Sequence, residues 1–420
     1  MKGIEQNPKL GYYRVGDKIL YSKPQAYMYA TEVDRIPEWV FNPLELAKFD
    51  WTHEPTVGIQ ELYRLRALQL REQYDWIRLE TSGGGDSTTA VFAFLLNGIH
   101  LDEVVFRYPE KFDKNLTDDP FNTKPENTLS ERQFAAEPLL NWIETHYPKV
   151  KVTIQDYSEN FLNGDYMTDE SWVFTTRDWF QPGHGAKFGN FNTIEHKRQA
   201  DSGKKICALY GIDKPKACVM DNKWYVYYVD LQANATSPII NNYDNITSEL
   251  FYWTPDMPEI VAKQAHMIKN WFDMPQNQQV RHLVDGPNTS TAQRTTYEWI
   301  VKSIIYPDYD LSTWQTSKPT NIFFNEMDTW FHVNLADTKF YNTWESGIDY
   351  LIDKIDSKFF NYNLGKLNGL KQSTSTFYYI GDSQSNSHTP VFVNQDYKRT
   401  YSSSGMYSSL ENKKFKKIVI

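Results

Sequence analysis

Six consecutive residues, Ser82-Gly83-Gly84-Gly85-Asp86-Ser87, have the types and spacing to hold a polyphosphate. Three glycines in a row permit positive φ and let anionic oxygens approach the backbone, whose N–H groups can then converge on them as a nest. Ser82, Ser87 and Thr88 add hydroxyls for the same oxygens. Asp86 is the informative residue. A carboxylate beside phosphates is repulsive unless a cation lies between them, so Asp86 implies Mg²⁺ shared by the carboxylate and the phosphates. A second region of interest is a basic stretch, His196-Lys197-Arg198, Lys204-Lys205 and Lys214-Pro215-Lys216. Arg198, Lys214 or Lys216 there could neutralise charge developing on a departing pyrophosphate.

The elements around the glycine turn supply its context. Trp76 to Thr81 reads as a strand running into the turn, and Thr88 to Asn97 as a buried helix with Gly98 in the position of a left-handed cap. Asp102 to Phe106 gives a second strand, Leu129 to Tyr147 a helix and Val150 to Ile154 a third strand. This alternation predicts an α/β fold with a doubly wound, mostly parallel sheet. Ile59, Leu62, Leu65 and Leu68 recur every third residue and predict a helix ending near Gln73 that packs before the first strand. Arg78 and Glu80 are out of character for a central parallel strand.

Upstream, residues 1–55 read as a small cap of short strands, including Lys18–Tyr21 and Ala26–Tyr29. Residues 157–192 are loop-like, with Trp172, Trp179, Phe180 and His184. Asn192 to Tyr210 is expected to be helical and Trp224 to Leu231 a strand. Further on come helices over Pro258–Phe272, Thr291–Ile305 and Trp344–Ile355 and a hairpin within 359–380. The expected division is thus a cap over 1–55, a nucleotide-binding domain over 56–245, a mainly helical region over 246–380 and a partly disordered tail over 381–420, which ends in a lysine cluster.

Composition narrows the function. A formal net charge of −9 opposes phosphate backbones, so nucleic acid is not an expected partner. Two cysteines, Cys207 and Cys218, can form neither a four-cysteine zinc site nor a disulfide framework. Cys207 reads as a packing residue, and His184 as a turn residue. The first residues lack the apolar core of a signal peptide, and the longest apolar run, Ala90 to Leu96, falls short of the roughly 20 residues needed to span a bilayer. The expectation is a cytoplasmic protein with no membrane partner, whose 65 aromatic residues leave room for a homo-oligomeric interface.

The turn is neither G-x-x-x-x-G-K-[ST] nor G-x-G-x-x-G. It resembles the S-G-G-x-D-S signature of the PP-loop ATP pyrophosphatases, the adenine nucleotide alpha hydrolase-like superfamily, at every fixed position. The resemblance covers residues 59–155, roughly a quarter of the chain, and continues more weakly to about 231. The segment Glu61-Leu62-Tyr63-Arg64 through Tyr74-Asp75-Trp76 also resembles PP-loop proteins carried by bacteriophages and likened to asparagine synthetases, which would place the chain in a host cytoplasm. The resemblance implies a PP-loop (HUP-like) fold with ATP across the C-terminal edge of the sheet. By motif matching, Ser82, Gly83, Gly84, Gly85, Asp86, Ser87 and Thr88 would carry the pyrophosphate, Asp86 the Mg²⁺, and the backbone of Phe106 and Arg107 the adenine. Arg198 and Lys214 are the candidate catalytic cations.

The implied reaction is adenylation of a small-molecule substrate with release of pyrophosphate, followed by displacement of AMP. No N-terminal cysteine nucleophile, cysteine pair or zinc cluster is present for the glutamine-using, thiolating or deazaguanine branches, which favours ammonia or an amine as nucleophile. The leading expectation is therefore an amide-forming ligase acting on a small carboxylate, with a nucleobase- or nucleotide-modifying enzyme next. A module that binds ATP or AMP without consuming it, or an assembly protein that keeps the fold alone, are the readings from other classes.

Overall fold

A computed structural model describes residues 8–108, 110, 132–156, 158, 198–230, 244–287, 291–307, 332–333, 335–363 and 366–384. After a 3₁₀ turn at Pro8–Leu10, the described residues form a small antiparallel sheet in which β1 (Tyr12–Val15) lies between β2 (Lys18–Leu20) and β3 (Glu38–Val40). Ala26–Tyr29, expected as a strand, lies in helix α1 (Lys23–Glu32). Pro24 sits in its first turn, and Ala26, Tyr27 and Ala30 are buried at helical spacing, so the 3.6-residue period overrides strand-favouring tyrosines. A short helix α2 (Pro43–Leu46) closes this layer.

Helix α3 (Ile59–Gln73) forms where the leucine repeat predicts it. Its buried residues are Ile59, Leu62, Tyr63, Arg66, Ala67 and Leu70, while Leu65 and Leu68 are half-buried. A strict three-residue repeat drifts around a helix of 3.6 residues per turn, and the packed stripe follows the helix.

The centre of the molecule is a five-stranded parallel sheet. β4 (Trp76–Thr81) is followed by α4 (Gly85–Leu95), β5 (Glu103–Tyr108), a π-helical turn over Arg132–Ala136, α5 (Glu137–His146) and β6 (Lys151–Asp156). The chain then returns to the other side of β4 to lay down β7 (Ile206–Tyr210). An antiparallel hairpin of β8 (Lys216–Met220) and β9 (Lys223–Tyr227) follows, turning on Asp221 and Asn222, both at positive φ. β10 (Ile246–Leu250) completes the order β10-β7-β4-β5-β6, in which every adjacent pair is parallel. This is an α/β arrangement of the doubly wound kind, whose winding reverses at β4.

Two expectations are corrected here. The described part of Asn192–Tyr210 is helical only at its start, and Ile206–Tyr210 is a fully buried strand. A five-residue apolar run does not by itself distinguish helix from strand. The proposed boundary at 245/246 falls at the start of β10, which is an edge strand of the same sheet. One apolar core runs through the cap, the sheet and the later helices, so the region after 245 is not a separate body.

Beyond β10 lie α6 (Glu259–Asp273), a 3₁₀ segment (Pro275–Val284), α7 (Thr291–Ile305) and α8 (Lys339–Lys354). The hairpin of β11 (Phe360–Asn363) and β12 (Lys366–Leu370) follows, then β13 (Tyr378–Asp382), which pairs with β9. Residues 381 and 382, expected in the tail, are thus strand. The rest of the tail from 385, and His184 with its loop, lie outside the described residues. Among the described residues no helix is long and apolar enough to cross a membrane.

Candidate active site

The glycine turn sits at the C-terminal end of β4 and is braced by its own hydroxyls. Thr81 Oγ1 and Ser87 Oγ lie 3.0 Å apart, the Gly83 N–H donates to Thr81 Oγ1 (3.0 Å), and Ser87 Oγ bonds the Gly84 carbonyl (3.2 Å). The Ser87 hydroxyl therefore shapes the turn as well as bordering it. Thr88, expected to offer its hydroxyl to the phosphates, is fully buried. The first bond of α4 runs from the Thr88 N–H to the Gly84 carbonyl (3.0 Å). Gly85, Asp86 and Ser87 thereby hold their N–H groups at the open, partially positive end of the helix.

Gly83 has φ +70°, and a Cβ there would meet the Ala135 carbonyl carbon at 2.4 Å and the Ala136 nitrogen at 2.6 Å. Both are backbone atoms of the turn into α5, which cannot yield as a side-chain tip can. Gly83→Ala should therefore cost about 2–5 kcal/mol, from the left-handed backbone plus the overlap. Urea unfolding followed by circular dichroism checks this, and a loss below 1 kcal/mol would contradict it.

The loop after β7 closes on this turn. A Cβ on Gly211 would lie 2.7 Å from Ser87 Cα and 2.9 Å from Ser87 N, so only glycine lets the loop ride on the first turn of α4. The loop delivers Lys214, whose Nζ donates to both carboxylate oxygens of Asp86 (3.0 and 2.8 Å) and to Asp213 Oδ1 (2.9 Å). Lys216 reaches Asp213 Oδ2 (3.1 Å) and Glu298 (3.5 Å) on α7. Lys214 is only 5 % exposed at its side chain and Asp86 22 %. Burial opposes the charge of Asp86, but the Lys214 ammonium and then Lys302 hold its pKa below the usual carboxylate range. Burial likewise opposes the charge of Asp213, which Lys214 and Lys216 hold low, and that of Lys214, which Asp213 and Asp86 hold well above its ordinary value.

Two tyrosines grip Asp86 from behind. Tyr306, just past α7, donates to Asp86 Oδ1, and the Tyr252 hydroxyl donates to the Asp86 carbonyl (2.8 Å). Burial, then Asp86, push the Tyr306 pKa well above its ordinary value, which keeps it a hydrogen donor. Tyr63 of α3 donates to the Ile305 carbonyl (2.8 Å) and so fixes the end of α7.

Of the residues singled out in the sequence, the structure brings Lys214 to Asp86 but not Arg198. Gln199 donates to Glu103 at the start of β5, and Asn245, just before β10, donates to the Ala200 carbonyl. Arg198 therefore lies at the N-terminal edge of the sheet, opposite the glycine turn. Phe106 pairs in register with Thr81 at the end of the neighbouring strand, which puts its backbone at the correct edge. The Arg107 side chain is engaged with Glu80 (3.1 Å). Cys207 is buried within β7, and burial pushes its thiol well above the ordinary value, so it is a packing residue and no nucleophile.

Sequence reading missed Asp213, Tyr252 and Tyr306. Among the described residues no group of three or more His, Cys, Asp or Glu is placed to hold a metal. Three carboxylate oxygens from Asp86 and Asp213 do converge on one point, filled by the Lys214 ammonium. Two carboxylates are too few for a self-sufficient metal site, but they suit Mg²⁺, which characteristically binds through one or two carboxylates together with substrate phosphates. Neither a protein-family model nor a curated protein matches this chain.

Proposed function

We propose that this chain is a PP-loop enzyme that binds ATP with Mg²⁺ at the glycine turn, adenylates a small carboxylic acid and releases pyrophosphate. The observation that carries the proposal is the complete Ser82–Ser87 sequence between a parallel strand and a helix at the winding reversal of the sheet, with Asp86 facing Lys214. Ligands of open α/β sheets bind at that crevice, and helix N-termini favour phosphate.

In this reading the N–H groups of Gly84 to Ser87 take the pyrophosphate portion of ATP. Asp86 and Asp213 are the residues that would hold Mg²⁺, which when bound would draw charge from the phosphate oxygens. Lys214, released from the carboxylates, donates to the oxygens on which charge grows as pyrophosphate departs. An oxygen of the substrate carboxylate forms a bond to the α-phosphorus while the bond between the α-phosphorus and its bridging oxygen breaks, its electron pair leaving on pyrophosphate. Ammonia or an amine then attacks the acyl carbon, loses a proton and expels AMP. Tyr306 and Tyr252 orient Asp86 throughout.

Tyr306→Phe removes one hydrogen bond to a charged carboxylate and leaves the ring in place. It should raise the Mg²⁺ concentration for half-maximal ATP turnover by about tenfold, with a smaller change at saturating metal. A metal titration in which the variant overlays the parent would contradict this role. The broader reading is tested by calorimetric titration of ATP in Mg²⁺ and in EDTA. Binding that tightens with Mg²⁺ is expected, and no binding in either would overturn it.

A further inference from the structure

The Lys214 ammonium does more in this site than balance charge. It has three N–H donors, and carboxylate oxygens take all of them, Asp86 Oδ1 at 3.0 Å, Asp86 Oδ2 at 2.8 Å and Asp213 Oδ1 at 2.9 Å. The loop that carries it is fixed on both sides of the lysine. Gly211 lies against the first turn of α4, and Tyr297 of α7 donates to the Pro215 carbonyl (2.9 Å) and accepts from the Ala217 N–H (3.1 Å). The ammonium thus stands at the point on which both carboxylates converge, which is the point a divalent cation shared by them must take.

Both carboxylates have anchors besides this ammonium. Tyr306 holds Asp86, while the Lys214 backbone N–H (2.7 Å) and Lys216 (3.1 Å) hold Asp213, so the pair stays in place if the ammonium withdraws. Mg²⁺ binds oxygen at about 2.0–2.1 Å, so a metal needs the carboxylates to draw in by roughly 0.8 Å and cannot share the point with Lys214. Solution reaches the pair from the carboxylate side. Asp86 keeps 22 % of its side-chain surface exposed and Asp213 15 %, and Ser82 and Gly84 of the turn are half-buried. A cation that replaces the ammonium takes its place and needs no further cavity.

The structure assigns Lys214 the part of a built-in cation that keeps metal out of the Asp86–Asp213 pair until a polyphosphate reaches the glycine turn. This rests on the reading of that pair as the Mg²⁺ ligands. Expelling a buried ammonium from its carboxylates leaves a charge without a counter-ion, which opposes the binding of metal alone. A polyphosphate on the N–H groups of Gly84 to Ser87 offers that ammonium anionic oxygens beside the ones it leaves, and the metal gains phosphate ligands in the same exchange. Metal and polyphosphate therefore bind with positive coupling, each tightening the other by the same factor.

The test uses the full chain without nucleotide and reads metal occupancy, not turnover. Free Mn²⁺ is followed by electron paramagnetic resonance at pH 7.5 as protein is added. Lys214→Met should gain one Mn²⁺ per chain, bound about tenfold or more tightly than at any site of the parent. Adding Asp213→Asn to that variant should remove it. Mn²⁺ should also raise the melting temperature of Lys214→Met more than that of the parent. A folded Lys214→Met protein with no gained site would overturn the proposal. Crystals of the parent decide the matter even if that variant fails to fold. Soaked with Mn²⁺ and inorganic triphosphate, they should show anomalous density between Asp86 and Asp213 with Lys214 Nζ moved off the carboxylates; soaked with Mn²⁺ alone, they should show none there. Metal between the carboxylates in both soaks would overturn the gate and keep the metal reading, and metal in neither would overturn both. Triphosphate-dependent Mn²⁺ in a protein that never cleaves ATP would keep the gate and refute the ligase reading.

Discussion

Asp86→Asn is expected to lower ATP cleavage about 100- to 1,000-fold while the protein stays folded. The substitution keeps the shape of the side chain and removes only its charge. Lys214 retains Asp213 at 2.9 Å, so no ammonium is left buried without a counter-ion. The Tyr306 hydroxyl can still donate to the amide oxygen, and the Tyr252 bond is to the backbone of residue 86 and is untouched. What disappears is the carboxylate that would share Mg²⁺ with the phosphates. Rates of AMP release by parent and variant, with urea midpoints for both, check the prediction. A folded Asp86→Asn protein cleaving ATP at the parental rate would remove Asp86 from the chemistry.

Lys214→Met should have the largest effect on stability, because it takes away the ammonium that two buried carboxylates share and leaves Lys216 as the only cation in contact with Asp213 among the described residues. Breaking a buried ion pair from one side typically costs about 3–5 kcal/mol. Its pH dependence carries a distinctive sign. In the parent, Asp86 and Asp213 are held below their ordinary value of 3.8, so their stabilisation is complete above that pH and fades as pH falls below it. Lys214 is held above its ordinary 10.5, so its stabilisation is complete below that pH and is lost as pH rises further. The parent's cluster is therefore flat between these limits. In Lys214→Met the two carboxylates face each other in a poorly solvated site, which pushes their pKa values up. The variant should become more stable as pH falls from 7.5 to 5.5, a range over which this cluster leaves the parent unchanged. Urea midpoints at the two pH values test this. Equal losses at both, or a loss below 1 kcal/mol, would show that Lys214 does not neutralise Asp86.

The parts of this site that can be read from sequence are those that are local in the chain. The glycine turn needs only its own residues and the adjoining strand and helix, all contained in Trp76 to Leu95. Lys214 and Arg198 looked alike because both belong to one basic stretch. The five residues of β7 run between them and carry the chain roughly 16 Å from one edge of the sheet to the other. A buried strand that short does not announce itself by periodicity. β10 was obscured for a different reason. Glu249 in its middle is a poor strand-core residue until Arg66, 183 positions earlier, is seen to pair with it at 3.0 Å and Tyr74 to donate to it at 2.8 Å. The boundary expected at 245/246 therefore falls at the start of a strand of the central sheet. Tyr252 and Tyr306 reach Asp86 only through tertiary packing, and Asp213, though it adjoins Lys214 in the chain, is brought to the Asp86 site only by the loop after β7, so no spacing of residue types marks them. Arg78 and Glu80 were visible as an anomaly in a central strand, and the structure resolves it into a charged sheet face.

The measurement that bears most directly on the proposed activity is product analysis. The purified protein is incubated with Mg²⁺, α-labelled ATP and fractions of a cytosolic metabolite extract, and AMP plus pyrophosphate are resolved from ADP plus phosphate. AMP and pyrophosphate formed with one acid-containing fraction is the predicted result, and that fraction also delivers the acceptor. ADP with phosphate, or ATP bound and recovered intact in the presence of every fraction, would contradict adenylation at the glycine turn.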